Sequence, residues 1–337
     1  MKMPVPILTF FNNKSGVGKT SLVYHLAWML SDIDYQVLAC DLDPQANLTR
    51  MFINEDRLEI LWPDDGPRKT IYNTLQLLLD GTGDIEEPYL EPIAQQLSLI
   101  VGDLSLSATE DEFSIRWQEC LDRHPRAFRV ISALWRILQK AANASHAEIV
   151  LVDVGPNLGA LNRAVLVATD YVIVPLGNDL FSLQGLRNLG PTLRDWRNGW
   201  KERYDRNPSP DLCIPDGLIQ PIGYVVQQHD IRLGRPIKVY DKWVNRMPEE
   251  YARNLLDDND GPYPDTPAQD EAHALATVKH YRGLVPMAQE ARKPIFHLTP
   301  ADGAIGSHAA AANTARDDFK ALAEKITTRI KLGKINQ

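Results

Sequence analysis

An apolar run, Val5-Pro6-Ile7-Leu8-Thr9-Phe10-Phe11, gives way to Lys14-Ser15-Gly16-Val17-Gly18-Lys19-Thr20 and then to a helix-like stretch from Ser21 to Ser31. A strand, a glycine-rich turn and a helix N-terminus in immediate succession constrain the fold more than any other feature of the chain. Backbone N–H groups can converge only where side chains are absent, so Gly16 and Gly18 let the turn curl around phosphate oxygens at the positive end of the helix. The pattern reads as a triphosphate grip over Lys14, Ser15, Gly16, Val17, Gly18, Lys19, Thr20 and Ser21, with Lys19 as a point charge and the Thr20 hydroxyl as a Mg²⁺ ligand. Asn13 stands where the usual loop has glycine. The usual loop also needs no second lysine, yet Lys14 is present.

Two further segments place carboxylates at strand ends. Gln36-Val37-Leu38-Ala39-Cys40 reads as a buried parallel strand that runs into Asp41-Leu42-Asp43-Pro44-Gln45-Ala46-Asn47. Acids at the C-terminal end of such a strand project into the crevice where doubly wound sheets hold ligands. Read alone, Asp-Pro is also an ordinary turn former. In His146 to Gly159, four apolar residues from Ile149 to Val152 end in Asp153, the arrangement of a strand whose acid holds Mg²⁺ through water.

With these residues in view, the chain resembles the ParA/MinD family of ATPases, whose deviant Walker A loop carries an early lysine. The resemblance implies that Lys14 reaches the nucleotide of a partner subunit and neutralises charge as the phosphoryl group leaves; a solvated loop lysine is the alternative. It implies that Lys14, Lys19 and Asp43 are catalytic, with Asp43 orienting water, and that Thr20, Asp41 and Asp153 serve Mg²⁺. The likeness extends through Leu161 to Pro175 and through Asp179 to Leu186. Pro221 to Gln227 resembles the strand whose terminal Asn contacts adenine in relatives, here replaced by Gln227, and Leu284 to Ala291, with Pro286, resembles the segment that closes over the base. Three departures stand out. Ser15 replaces a glycine where two loops approach in the nucleotide sandwich, Gly155 stands in the Asp-x-Pro-Pro turn after the metal acid, and Gln227 is one carbon longer than Asn.

Composition narrows the partners. Only Cys40, Cys120 and Cys213 occur, too few and too scattered for a disulfide framework, paired metal ligands or an iron–sulfur cluster. No apolar run approaches ~20 residues, and Met1-Lys2-Met3-Pro4 opens straight into the first strand, so a transmembrane segment and a leader are not expected and a cytoplasmic protein is. A net charge of −8 argues against a uniformly basic surface. The resemblance still implies non-specific DNA binding and nucleoid association, for which Arg232, Lys320, Lys325 and Arg329 are candidates, along with arginines between 187 and 203. An apolar stripe of Phe319, Leu322, Ala323, Ile326 and Ile330 could sit on a membrane as in MinD, or pack on the sheet, the simpler account.

The expected architecture is α/β, three-layered and doubly wound, with a mostly parallel sheet of the deviant P-loop type in one domain over 1–337. Insertions are expected at about 54–69 and 235–281, and helices over Thr70 to Asp80, Glu110 to Asp122, Arg126 to Asn143, Pro236 to Trp243 and Ser182 to Tyr204. The expected function is a slow, Mg²⁺-dependent ATPase switch. It would form a homodimer with ATP sandwiched, position or partition a cargo, and answer to a cognate protein that stimulates hydrolysis. An ATP-gated module that recruits an effector without DNA is the alternative, and a MinD-like membrane regulator a further one.

Overall fold

A computed structural model describes residues 3–228, 242–279, 281 and 283–333. Its strands are β1 (Ile7–Phe10), β2 (Val37–Asp41), β3 (Glu91–Ala94), β4 (Leu97–Ile100), β5 (Ile149–Asp153), β6 (Tyr171–Gly177), β7 (Gln220–Gln228) and β8 (Ala274–Lys279). They form one eight-stranded sheet in the order β3-β4-β2-β5-β1-β6-β7-β8. β1, β2 and β5 are buried at every residue, as near-continuous apolar strands covered on both faces must be. β1 and β2 each run parallel to β5, β2 runs parallel to β4, and β7 to β8.

The helices are α1 (Lys19–Asp32), α2 (Asn47–Phe52), α3 (Glu55–Leu61), α4 (Ile71–Leu79), α5 (Glu110–Glu119), α6 (Pro125–Ile131), α7 (Ala133–Ala144), α8 (Ala160–Val167), α9 (Leu180–Tyr204), α10 (Met247–Leu255), α11 (Leu284–Ala291) and α12 (Ser307–Arg329). Contacts group the chain into two compact units. The first comprises Met1–Thr9, Ser31–Tyr171 and Arg194–Gln220, and the second Phe10–Leu30, Val172–Leu193 and Pro221–Gln337.

Several elements differ from expectation. The helix expected over Arg126 to Asn143 is interrupted at Ser132, whose hydroxyl bonds back to the Phe128 carbonyl at 2.6 Å and competes with the helical ladder. The 54–69 excursion opens with α3, started by Asn54, whose side chain accepts the Arg57 amide at 2.8 Å. β3 was not foreseen; it lies antiparallel to β4 as an edge strand of four residues, too short to show a period. The helix expected over 236–243 lies outside the described residues apart from its last two.

The described part of the 235–281 insertion contains α10 and β8, the latter an edge strand in parallel register with β7. α10 docks on α9 because Gly190 has no side chain, since a Cβ there would overlap the Asn254 carbonyl oxygen. Glu250 then gathers Arg187, Arg246 and Asn254 into one cluster. The C-terminal stripe is buried within its own unit: Phe319, Leu322, Ala323 and Ile326 are at most 2% exposed, and α12 packs on β8 and the short turn Ile295–His297. No described helix is long and apolar enough to cross a membrane.

Candidate functional site

In the second unit, the loop from Phe11 to Gly18 links β1 to α1. Gly16 and Gly18 have φ of 71° and 75°, the left-handed region that a glycine enters freely. Val17 is buried and anchors the loop, while Ser15 and Gly16 are exposed at its crest. Asn12 fixes the entry: its Nδ2 donates to the Pro175 carbonyl at 2.7 Å and its Oδ1 accepts the Lys14 amide at 2.9 Å. The buried Lys19 Nζ lies 3.1 Å from the Asn12 carbonyl and 3.2 Å from that of Lys14, so this lysine is turned in along the loop. Thr20 is half-buried and Ser21 exposed on the first turn of α1.

Lys14 has a different environment. Its Nζ is ion-paired with Asp179 and lies 3.5 Å from the Ser182 hydroxyl, and both side chains of the pair are about a third exposed, at 27% and 34%. Asp179 also caps α9 by accepting the Ser182 amide at 3.0 Å. α9 approaches the loop closely at Gly185, where a Cβ would stand 3.2 Å from the side-chain oxygens of Asn12 and Asn13. The loop therefore carries one lysine turned inward and one held toward solvent.

α1 is secured at its far side by His25, which is 3% exposed. Nδ1 donates to the Ser21 carbonyl at 2.7 Å, which leaves Nε2 to accept the Ile295 amide at 3.2 Å, and the ring stacks on Phe319 with centroids 4.9 Å apart. Burial lowers its pKa from 6.5 to about 4, with His297 adding to the effect and the Ser21 bond opposing it. Below pH 6.5 the unfolded chain binds a proton that the folded chain refuses, so stability falls with pH. The His25 contribution should amount to about 3 kcal/mol lost between pH 6.5 and 4. Urea midpoints of wild type and His25→Gln across pH 7 to 4.5 check this. The difference cancels other titrations, and parallel pH slopes would refute it.

In the first unit, β2 and β5 end side by side, with Asp41 and Asp153 as register partners. Both are fully buried. Asp41 accepts the Thr49 amide at 2.8 Å and the Asp43 amide at 3.2 Å. It fits only because Gly102 has no side chain; a Cβ there would come 2.9 Å from its Cγ. Burial raises the Asp41 pKa against these amide bonds. Its geometry makes Asp41 the support of the 43–49 turn. Asp43 is 6% exposed and accepts the Gln45 amide at 3.0 Å, and the turn closes through Ala46, whose amide bonds the Asp43 carbonyl at 2.8 Å with φ of 51°. Gly155 lies against it: a Cβ there would stand 3.2 Å from Asp43 Oδ1. The departure from proline at 155 thus makes room for the carboxylate rather than loosening the turn, whose 155 carbonyl is held by Asn162 at 2.9 Å.

Gln227 is half-buried and its amide packs on the phosphate loop, 3.1 Å from where a Gly18 Cβ would be. Pro286 is exposed on α11. Of the basic candidates, Lys320 is exposed, whereas Lys325 Nζ donates to the Ala274 carbonyl at 2.8 Å and Arg329 Nη1 to that of Ile222 at 2.6 Å. Arg232 lies outside the described residues. Sequence reading passed over Asn12, Gly102, Asn162 and the role of Asp179. Asp179 alone had a local signal, an acid three residues before Ser182 at a helix start.

The parts present suit a nucleoside triphosphate with Mg²⁺. In the second unit two left-handed glycines form a cradle at the N-terminus of α1, with Lys19 along the loop and the Thr20 hydroxyl, a hard oxygen donor, on the first turn; in the first unit the Asp153 carboxylate ends β5. A family model described as an AAA domain matches residues 5–204. The chromosome partitioning protein ParA of Caulobacter vibrioides is 29% identical over 203 residues, 60% of this chain and 67% of that protein. The first curated relatives, from Methanocaldococcus jannaschii and Mycobacterium tuberculosis, are matched over only 64–65% of their own length. Among solved structures, a Corynebacterium diphtheriae protein matches 96% of this chain and 98% of its own with a TM-score of 0.68 at 21% identity. A Cyanothece McdA variant in complex with ATP matches 99% of both chains with a TM-score of 0.61 at 14% identity. These two likenesses concern the fold.

Proposed function

This chain belongs to the AAA-domain family of ParA-like P-loop ATPases, and from that premise we propose that it is an ATP-driven switch that dimerises around the nucleotide and hydrolyses it slowly. The observation that carries the reading is the division of labour between the two loop lysines. Lys19 lies along its own loop, where it serves the phosphates its own subunit binds, together with the loop amides of 15–21. Lys14 is held at the surface by an ion pair that is partly solvated and so worth only about 0–1 kcal/mol. It can leave Asp179 at little cost and enter the site of a second copy, where it neutralises charge developing on the transferred phosphoryl group.

Asp43 orients the attacking water. Bound Mg²⁺, held by the Thr20 hydroxyl and by Asp153, would neutralise phosphate charge. Asp41 acts on this chemistry indirectly, by fixing the turn that carries Asp43. Gln227 and Pro286 flank the base. The whole chain works as one ATPase domain, placed in the cytoplasm, and its cargo is carried on DNA bound without sequence preference until a cognate protein triggers hydrolysis.

The test of the DNA step is retention on non-specific duplex DNA. Retention with ATP and Mg²⁺ should be lost with ADP and should fall steeply as salt rises, because bound lysines and arginines release counterions. Retention that ignores the nucleotide would reject DNA as the track. The engagement of Lys325 and Arg329 with backbone carbonyls favours a second reading, in which the ATP-bound dimer recruits a protein effector. That reading expects ATP-dependent capture of the effector with no DNA retention.

A further inference from the structure

We propose that Glu110 is a positioning residue for Asp43, acting through α8 and the turn that follows Asp153; the proposal rests on the ATPase reading above. Glu110 opens α5, yet its carboxylate serves another helix. One oxygen accepts the Ala160 amide and the other accepts the Leu161 amide, the latter at 3.0 Å. These are the first amides of α8, which has no side-chain cap of its own because Gly159 stands at its N-cap. The clamp as seen uses the missing side chain: a Cβ on Gly159 would overlap Glu110 Oε1 and stand 2.9 Å from its Cδ, so the carboxylate would have to move. A carboxylate on two amides at the positive end of a helix is a charge-assisted, bidentate clamp.

From α8 the clamp leads back to Asp43. Asn162, 1% exposed on the first turn of α8, donates Nδ2 to the Gly155 carbonyl at 2.9 Å and to the Asn157 carbonyl at 2.8 Å. Asn157 in turn accepts the Gly159 amide at 2.9 Å. Gly155, held in this way, is the wall against which the Asp43 carboxylate rests. Every link lies in the first unit: those of Glu110 and Asn162 are hydrogen bonds, and the last, between Gly155 and the Asp43 carboxylate, is steric. Glu110 therefore sets where α8 begins, Asn162 carries that position to Gly155, and Gly155 limits where Asp43 can stand.

A second attachment lets the clamp be cut without losing the fold. The guanidinium of Arg163 on α8 lies over the Trp117 ring of α5 at 4.4 Å, as does that of Arg203 at 4.1 Å. α5 and α8 thus stay together when Glu110 is replaced.

The experiment compares wild type, Glu110→Gln and Glu110→Ala as full chains in ATP turnover, binding of a fluorescent ATP analogue, and amide exchange over 157–161. In Glu110→Ala the Ala160 and Leu161 amides should exchange faster and kcat should fall about 10-fold or more, since misplacement by a fraction of an ångström at a reacting group carries costs of that order. KM and analogue affinity should stay within about twofold, because only the transition state is affected. Glu110→Gln keeps one acceptor and should fall between the two. Unchanged kcat beside faster exchange would overturn the positioning role, as would a parallel loss of kcat and analogue affinity. Unchanged exchange would overturn the clamp itself. If Glu110→Ala fails to fold, Glu110→Gln decides by the same criteria. A wild type that binds the analogue but turns over no ATP would instead overturn the ATPase reading, and the positioning role with it.

Discussion

Asp43→Ala is expected to lower ATP turnover by about 10²–10⁴-fold, the range lost when a positioned proton acceptor or water-orienting group is removed, while ATP binding persists. The carboxylate is nearly buried, has one oxygen bonded to the Gln45 amide, and rests against Gly155, so the protein itself fixes its position. Alanine removes the bond to the Gln45 amide, but the turn keeps its Ala46 to Asp43 backbone bond and the Asp41 to Thr49 bond beneath it. With hydrolysis blocked and ATP still bound, the dimer should accumulate. Light scattering should therefore show a stable dimer of the variant with ATP and a monomer with ADP. A variant that stays monomeric with ATP would reject the sandwich.

The second large effect concerns Lys14. Lys14→Ala should lose about 10³-fold in turnover, as when a finger supplied in trans is withdrawn, with little change in ATP affinity. Lys19→Ala should instead lose ATP binding, because Lys19 Nζ lies within the loop itself. The trans arrangement has a distinctive consequence. A mixed dimer of Lys14→Ala and Asp43→Ala contains one site with both groups, Asp43 from the first variant and Lys14 from the second. An equimolar mixture of the two inactive proteins should regain roughly a quarter of wild-type turnover, since half the dimers are mixed and each has one intact site. No recovery on mixing would place Lys14 in cis and leave its ion pair with Asp179 as a structural contact.

The strands and turns nearest these residues were open to sequence reading because their signals are local. The glycine spacing, the helix after it and the acid at the end of each apolar run all lie within about a dozen residues. The resemblance supplied roles, and the structure supplied the partners of each group. Within the long insertion β8 and α10 were not foreseen: β8 is a six-residue edge strand, and α10, although it opens with Pro248, Glu249 and Glu250, is held by contacts distant in sequence, Asn254 against Gly190 and Glu250 with Arg187.

What the chain determined by itself was the phosphate loop, the buried parallel strands and the acids at their ends, because backbone conformation and hydrophobic periodicity are set by neighbours in sequence. Only the tertiary structure decided that Lys14 rests on Asp179, that Asp41 supports the Asp43 turn through amides, that His25 meets the Ile295 amide, and that Glu110 caps α8. Most of these pairings join residues far apart in the chain, and all depend on side-chain hydrogen bonds, whose partners are settled by packing in three dimensions and leave no periodic trace in the sequence.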